Sequence, residues 1–147
     1  MDGRIESGAC FCGAIAAEMQ GEPFWVCSDH DDDCRRAIGG PLTVWVGYRP
    51  HQVRLTRGRP KEFSKTKGIV RTFCGDCGSS IAYRDEGLSD EVYVTIGFFD
   101  HPERFSPQAH AYWRLRLPWV EFSDDLPRID TYSRPRDPAF GNPADRK

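Results

Sequence analysis

Four of the six cysteines in this chain fall on two short turns, Cys10-Phe11-Cys12-Gly13 and Cys74-Gly75-Asp76-Cys77-Gly78. Each turn brings two thiols together beside a glycine. Four thiolates on two such turns meet the tetrahedral demand of a structural zinc ion, and paired knuckles are a far stronger signal than one alone. The knuckles lie far apart in sequence, so an ion held between them would clip the start of the chain to its middle, where closing a long loop helps most. The competing reading is two disulfides or four idle thiols. A bridge within Cys10-Phe11-Cys12 would be strained. Between the knuckles lies the most unusual stretch of the sequence, Ser28-Asp29-His30-Asp31-Asp32-Asp33-Cys34-Arg35-Arg36.

The composition narrows the classes of function. At 147 residues, 39% apolar and 29% charged, the expectation is one polar globular domain over residues 1–132. Residues 133–147, with Pro135, Pro138 and Pro143 among charges and small side chains, read as a Pro-rich flexible tail. A net charge of −2 gives no electrostatic footprint for nucleic acid. No window is long and apolar enough for a membrane span, and Met1 to Ser7 lacks the apolar core of a secretory signal. A cytoplasmic, reducing compartment is therefore expected, where cysteine pairs bind metal more often than they form bridges.

Period-2 alternation dominates the elements that must position these residues. Ile15, Ala17 and Met19 read as one face of a strand, Phe24 to Cys27 as a short apolar strand, and Leu42 to Tyr48 as a strong strand with Leu42, Val44, Val46 and Tyr48 on one face. Val53 with Leu55, residues 68–73, residues 80–83, residues 91–96 and residues 110–113 add further strands. Asp32 or Asp33 can cap a single helical turn through Arg35, Arg36 and Ala37, which Gly39-Gly40-Pro41 must end. No segment sustains a period of 3.6, so the chain reads as mainly β with short helical turns.

On these motifs the chain resembles the glutathione-dependent formaldehyde-activating enzymes, whose domain is shared with centromere protein V. The matching residues are Cys10-Phe11-Cys12-Gly13-Ala14, the turn Gly21-Glu22-Pro23, Phe73-Cys74-Gly75-Asp76-Cys77-Gly78-Ser79, and Pro118-Trp119. The likeness runs over roughly residues 8 to 130. It implies antiparallel β-sheets, tent- or sandwich-like, organised around a structural zinc on Cys10, Cys12, Cys74 and Cys77. It also implies a carbon–sulfur lyase that makes or breaks glutathione–formaldehyde adducts at a second zinc, which lowers a thiol's pKa and polarises a carbonyl.

The resemblance breaks at that second site. Family members carry Cys-His-Cys-x-x-Cys-Arg there, and an ungapped count places the motif on Asp29, His30, Asp31, Cys34 and Arg35. Two of three soft ligands are thus carboxylates, which bind zinc less selectively and favour harder cations. Three readings stay open: Asp29, Asp31 and Cys34 hold a metal with an open position; Cys27, His30 and Cys34 are recruited instead; or the acidic run is a solvated loop without metal. An EF-hand is excluded, because Cys34 stands where its glycine should be and Gly40 where its bidentate glutamate should be. The resemblance assigns catalysis to Asp29, Asp31 and Cys34, with His30 as a shuttle that titrates near neutrality.

Weaker candidates are Arg35 and Arg36 as clamps for a substrate carboxylate, and Trp45, Tyr48 and Trp119 as pocket lining. His51, His101 and His110 fit no ligand pattern. The substrate implied is a small thiol or thiol adduct, altered from the family norm by the carboxylates. The rival reading is a zinc-stapled binding module without a reaction site. The oligomeric state is not legible in the sequence.

Overall fold

A computed structural model describes residues 3–141 of the chain. Residues 142–147, including Pro143, lie outside the described residues. Among the described residues, ten strands and one short helix follow in order: β1 (Ile5–Ala9), β2 (Ala16–Gln20), β3 (Trp25–Asp29), α1 (Asp32–Ile38), β4 (Thr43–Tyr48), β5 (Val53–Arg57), β6 (Lys61–Phe63), β7 (Ile69–Phe73), β8 (Ser80–Asp85), β9 (Val92–Thr95) and β10 (Ala109–Ala111). Short 3₁₀ turns fill several of the connections.

Two sheets result. The smaller has the order β1-β2-β5, and the larger β10-β3-β4-β9-β8-β7-β6. Every pairing is antiparallel except β10 with β3, which run parallel, with His110 opposite Ser28. The strands alternate as their sequences suggest. Val26 pairs with Val46, Val46 with Val94 and Val94 with Ala82, so one apolar stripe crosses four strands of the larger sheet. That stripe packs against Ile15, Ala17 and Met19 of the smaller sheet and its turn. Residues one position along, Cys27, Trp45, Tyr93 and Tyr83, face the other way into a second core with Cys34 and Tyr112.

β4 therefore departs from a half-buried strand. It is central and covered on both faces, so Trp45 and Tyr48 are core residues rather than pocket lining, while Trp119 is 70% exposed. Helix α1 is capped by Asp31, one residue before the expected Asp32 or Asp33, and ends at Gly39 with φ of 76°. That left-handed conformation suits glycine.

Composition reads residues 133–147 as loose, yet the described part of that stretch is anchored. Arg136 meets Asp85 with two nitrogens at 2.9 and 2.7 Å, and Tyr132 Oη donates to the same carboxylate at 2.8 Å. Arg134 reaches Glu91 at 2.9 Å, and Trp25 Nε1 donates to Ser133 at 2.9 Å. Charged partners buried under the second core, invisible to a composition argument, make the difference. Among the described residues, no helix is long and apolar enough to cross a membrane.

Candidate metal centre and reaction cavity

The β1–β2 turn carries Cys10 and Cys12, and the β7–β8 turn carries Cys74 and Cys77. The first turn belongs to the smaller sheet and the second to the larger, so the cysteines join the two layers. Local hydrogen bonds build each knuckle. Gly13 N donates to Cys10 O, and Gly78 N to Cys74 O, both at 2.9 Å. Gly13 and Gly78 each adopt a φ near 80°, at 78° and 79°. Side chains rarely tolerate that conformation, which explains a glycine after each pair.

The four sulfurs lie within 4.8 Å of one another, with Cys10 and Cys12 at 3.7 Å and Cys12 and Cys74 at 3.8 Å. A tetrahedron with Zn–S bonds of about 2.3 Å puts its sulfurs about 3.8 Å apart, so the group fits a zinc ion. Backbone donors favour charged sulfur here: Ile15 N points at Cys10 Sγ at 3.3 Å. The Ser79 hydroxyl, followed by its backbone, draws the Cys77 thiol down to about 6. Against the pull of the Ala14 amide, burial and the neighbouring sulfurs push the Cys12 thiol up to about 12, so the four thiols resist ionising together without a cation among them. Among the described residues, this is the one group of three or more candidate ligands that converges on a point.

The acidic run behaves differently. Asp29 ends β3 and Cys34 lies on the buried side of α1, and the two meet, with Cys34 Sγ 3.6 Å from Asp29 Oδ2. Asp31 turns one carboxylate oxygen to the Cys34 amide at 3.4 Å as helix cap, while its own amide donates to Asp29 Oδ1 at 2.9 Å. Asp29 and Cys34 are thus brought together, while Asp31 serves the helix start. Among the described residues, these three do not converge on a point as the four cysteines do. Burial pushes the Asp29 carboxyl up to about 7, against the pull of the Asp31 amide. Burial, followed by the nearby Asp29 charge, pushes the Cys34 thiol well above its ordinary value.

His30 and Cys27 leave this group. His30 Nε2 lies 3.0 Å from His110 Nδ1, and His110 Nε2 faces the Asp124 carboxylate at 3.1 and 3.2 Å. Trp113 and Phe122 wall the histidines in. Neighbouring residues at a strand end point to opposite faces, so a histidine beside Asp29 is aimed away from it. Cys27 faces Ser133 and Trp25. Arg35, a sequence candidate for substrate binding, donates to the carbonyls of His30 and Leu115 and is structural.

Asp29 and Cys34 form the floor of a cavity of about 240 Å³ between α1, β7 and the C-terminal segment. Tyr83, Tyr112 and Tyr132 supply an aromatic wall, with Arg36 and Lys65 at the rim. The unforeseen member is Arg71 of β7, paired in register with Tyr83, whose Nη2 lies 3.6 Å from Cys34 Sγ. The one sequence signal for it is a cation at the centre of an apolar strand, two residues before Phe73. His110 carried no signal, because its role depends on the parallel pairing of β10 with β3.

A pair of β-sheets joined by a four-cysteine group that could hold a metal ion, with an acid–thiol cavity beside one short helix, is the class of protein these features define. The model of the glutathione-dependent formaldehyde-activating enzyme family matches residues 5–115, and the chain belongs to that family. No curated protein matches it. A crystal structure of a Rhodobacter sphaeroides protein is similar, with a TM-score of 0.54 over 83% of this chain and 98% of that one, at 19% identity. At that identity the likeness speaks to fold alone. The family match covers residues 5–115, so Asp124, Tyr132 and Arg136 lie outside the matched span.

Proposed function

We propose that the four-cysteine group holds a structural zinc, and that the cavity over Asp29 and Cys34 is a reaction site for a small carbonyl–thiol adduct. The observation that carries this reading is the Asp29–Cys34 contact, two buried reactive groups on the floor of a cavity open to solvent. Zinc on the four cysteines supplies the link between the two sheets, and its binding free energy is largely folding free energy.

Asp29 supplies the acid–base chemistry. A carboxyl near 7 is poised to accept and return a proton at neutral pH. With a hydroxymethyl thioether, the hydroxyl proton passes to Asp29 as the carbon–sulfur bond breaks and the carbonyl forms. The departing thiolate then takes that proton back. Cys34 donates towards Asp29 Oδ2, Arg71 donates to Cys34, and this chain fixes the carboxyl in place.

Exchange NMR on the hydroxymethyl signal tests the reading. The adduct of formaldehyde with mercaptoacetate should exchange faster with protein present, and the bulkier glutathione adduct should be accelerated little. Asp29→Asn should abolish the effect while the zinc content stays unchanged. Equal rates for wild type and Asp29→Asn, or no acceleration with either adduct, contradict the reading and leave a zinc-stapled binding module.

A further inference from the structure

Among the described residues lining the cavity, Arg71 is a cation with a buried, unpartnered nitrogen. Its guanidinium sits 5.5 Å from the Tyr83 ring centre, and its Nη2 is directed at Cys34 Sγ. Its Nη1 is buried and has no hydrogen-bond partner. Buried N–H groups in folded proteins nearly always find an acceptor, and leaving a charged one bare is costly. A guanidinium is also the side chain best shaped to hold a carboxylate through two parallel donors.

The other charges facing the cavity leave room for an anion. Asp33 is paired with Lys65 at 2.9 Å, Asp31 caps the helix and acts on Arg71 through its charge without a direct hydrogen bond between them, and Arg36 stands exposed at the rim. Asp29 and Arg71 both approach the Cys34 sulfur, each at 3.6 Å. The tyrosines of the cavity suit the short apolar body of a small acid.

We propose that the cavity selects substrates that carry a carboxylate, which binds Arg71 and sets the reacting carbon over Asp29. Because both groups approach the same sulfur, the carboxylate and the reacting carbon belong to one short substrate. This inference rests on the cavity being the reaction site, and it adds the class of substrate.

The test uses the full zinc-loaded chain and two stable probes, (methylthio)acetate and 2-(methylthio)ethanol, which differ in the carboxylate. Titrations followed by tyrosine fluorescence and calorimetry should show the acid binding at least about ten-fold more tightly, the worth of one charge-assisted contact. Arg71→Gln should remove that preference, and Arg71→Lys should keep part of it. Zinc content and thermal melting confirm that each variant folds, and the wild-type comparison stands without either. Equal affinities in the wild type, or a preference that survives in Arg71→Gln, overturn the inference and leave the cavity as the site. Binding of neither probe overturns the inference together with the reading beneath it.

Discussion

His30 Nε2 lies 3.0 Å from His110 Nδ1, on the side of β3 that faces away from the cavity. Asp124 accepts from His110 Nε2, which makes His110 Nδ1 the acceptor and His30 Nε2 the donor. His30 Nδ1 is then a bare acceptor without a partner. Burial, with His110 next in order, pushes the His30 imidazole down to about 4, so it stays neutral near pH 7.

This network is structural, so its loss should cost stability and spare the cavity. His110→Ala leaves the His30 N–H buried without an acceptor, a penalty of about 1–3 kcal/mol. Denaturant unfolding should show that loss, while (methylthio)acetate binds as in the wild type. A loss of binding with unchanged stability would return His30 and His110 to the site.

The buried Asp29 carboxyl links stability to pH. Its folded value, about 7 against an ordinary 3.8, means the native state holds a proton that the unfolded chain has released. Stability must therefore fall as pH rises between those values and level off above about 7. Asn at this position keeps the acceptor for the Asp31 amide and removes the titration. Melting of Asp29→Asn against wild type should show the variant's advantage growing from pH 5 to 7 and flat from 7 to 8.5. A constant difference across the range would mean that Asp29 is not a buried proton acceptor.

Arg136 and Asp85 bind the end of the described chain to β8. The Asp85 side chain has no exposed surface and that of Arg136 is 9% exposed. Despite its burial, Asp85 is held below the ordinary carboxylate range by Arg136. Arg136→Met strands that carboxylate and should destabilise the protein by about 3 kcal/mol, read from denaturant unfolding. Tyr132 hangs from the same carboxylate, so probe binding should weaken too. A change below 1 kcal/mol, on the scale typical of exposed pairs, would show the segment to be loosely held.

The knuckles, the β-rich architecture and the family were legible because each rests on local pattern: cysteine spacing, period-2 alternation, and glycines where φ must be positive. The cavity was half legible. Asp29 and Cys34 lie five residues apart across a strand–helix turn, so their meeting follows from local structure. Arg71 and Tyr132 come from distant segments that long-range pairing brings in, and no sequence period announces that. His30 was misplaced for a simple reason: the motif fixes its position in sequence, whereas strand alternation fixes its face.

Restoring the two cysteines tests the alignment of the acidic run. Asp29→Cys with Asp31→Cys returns three thiolates at family spacing beside Arg35, and soft ligands favour zinc. Metal analysis should then find two zinc ions per chain. Loss of the Asp31 cap should cost about 1 kcal/mol. A double variant that still holds one zinc would show that these positions do not form the second site.

The central claim is that Cys10, Cys12, Cys74 and Cys77 hold one zinc that joins the two sheets, and that the acidic run holds none tightly. Elemental analysis of the wild-type chain, purified without chelator and then dialysed against a mild one, tests it most directly. The result expected is one zinc per chain before and after dialysis. A folded chain without zinc, or one that retains two ions through dialysis, would contradict it.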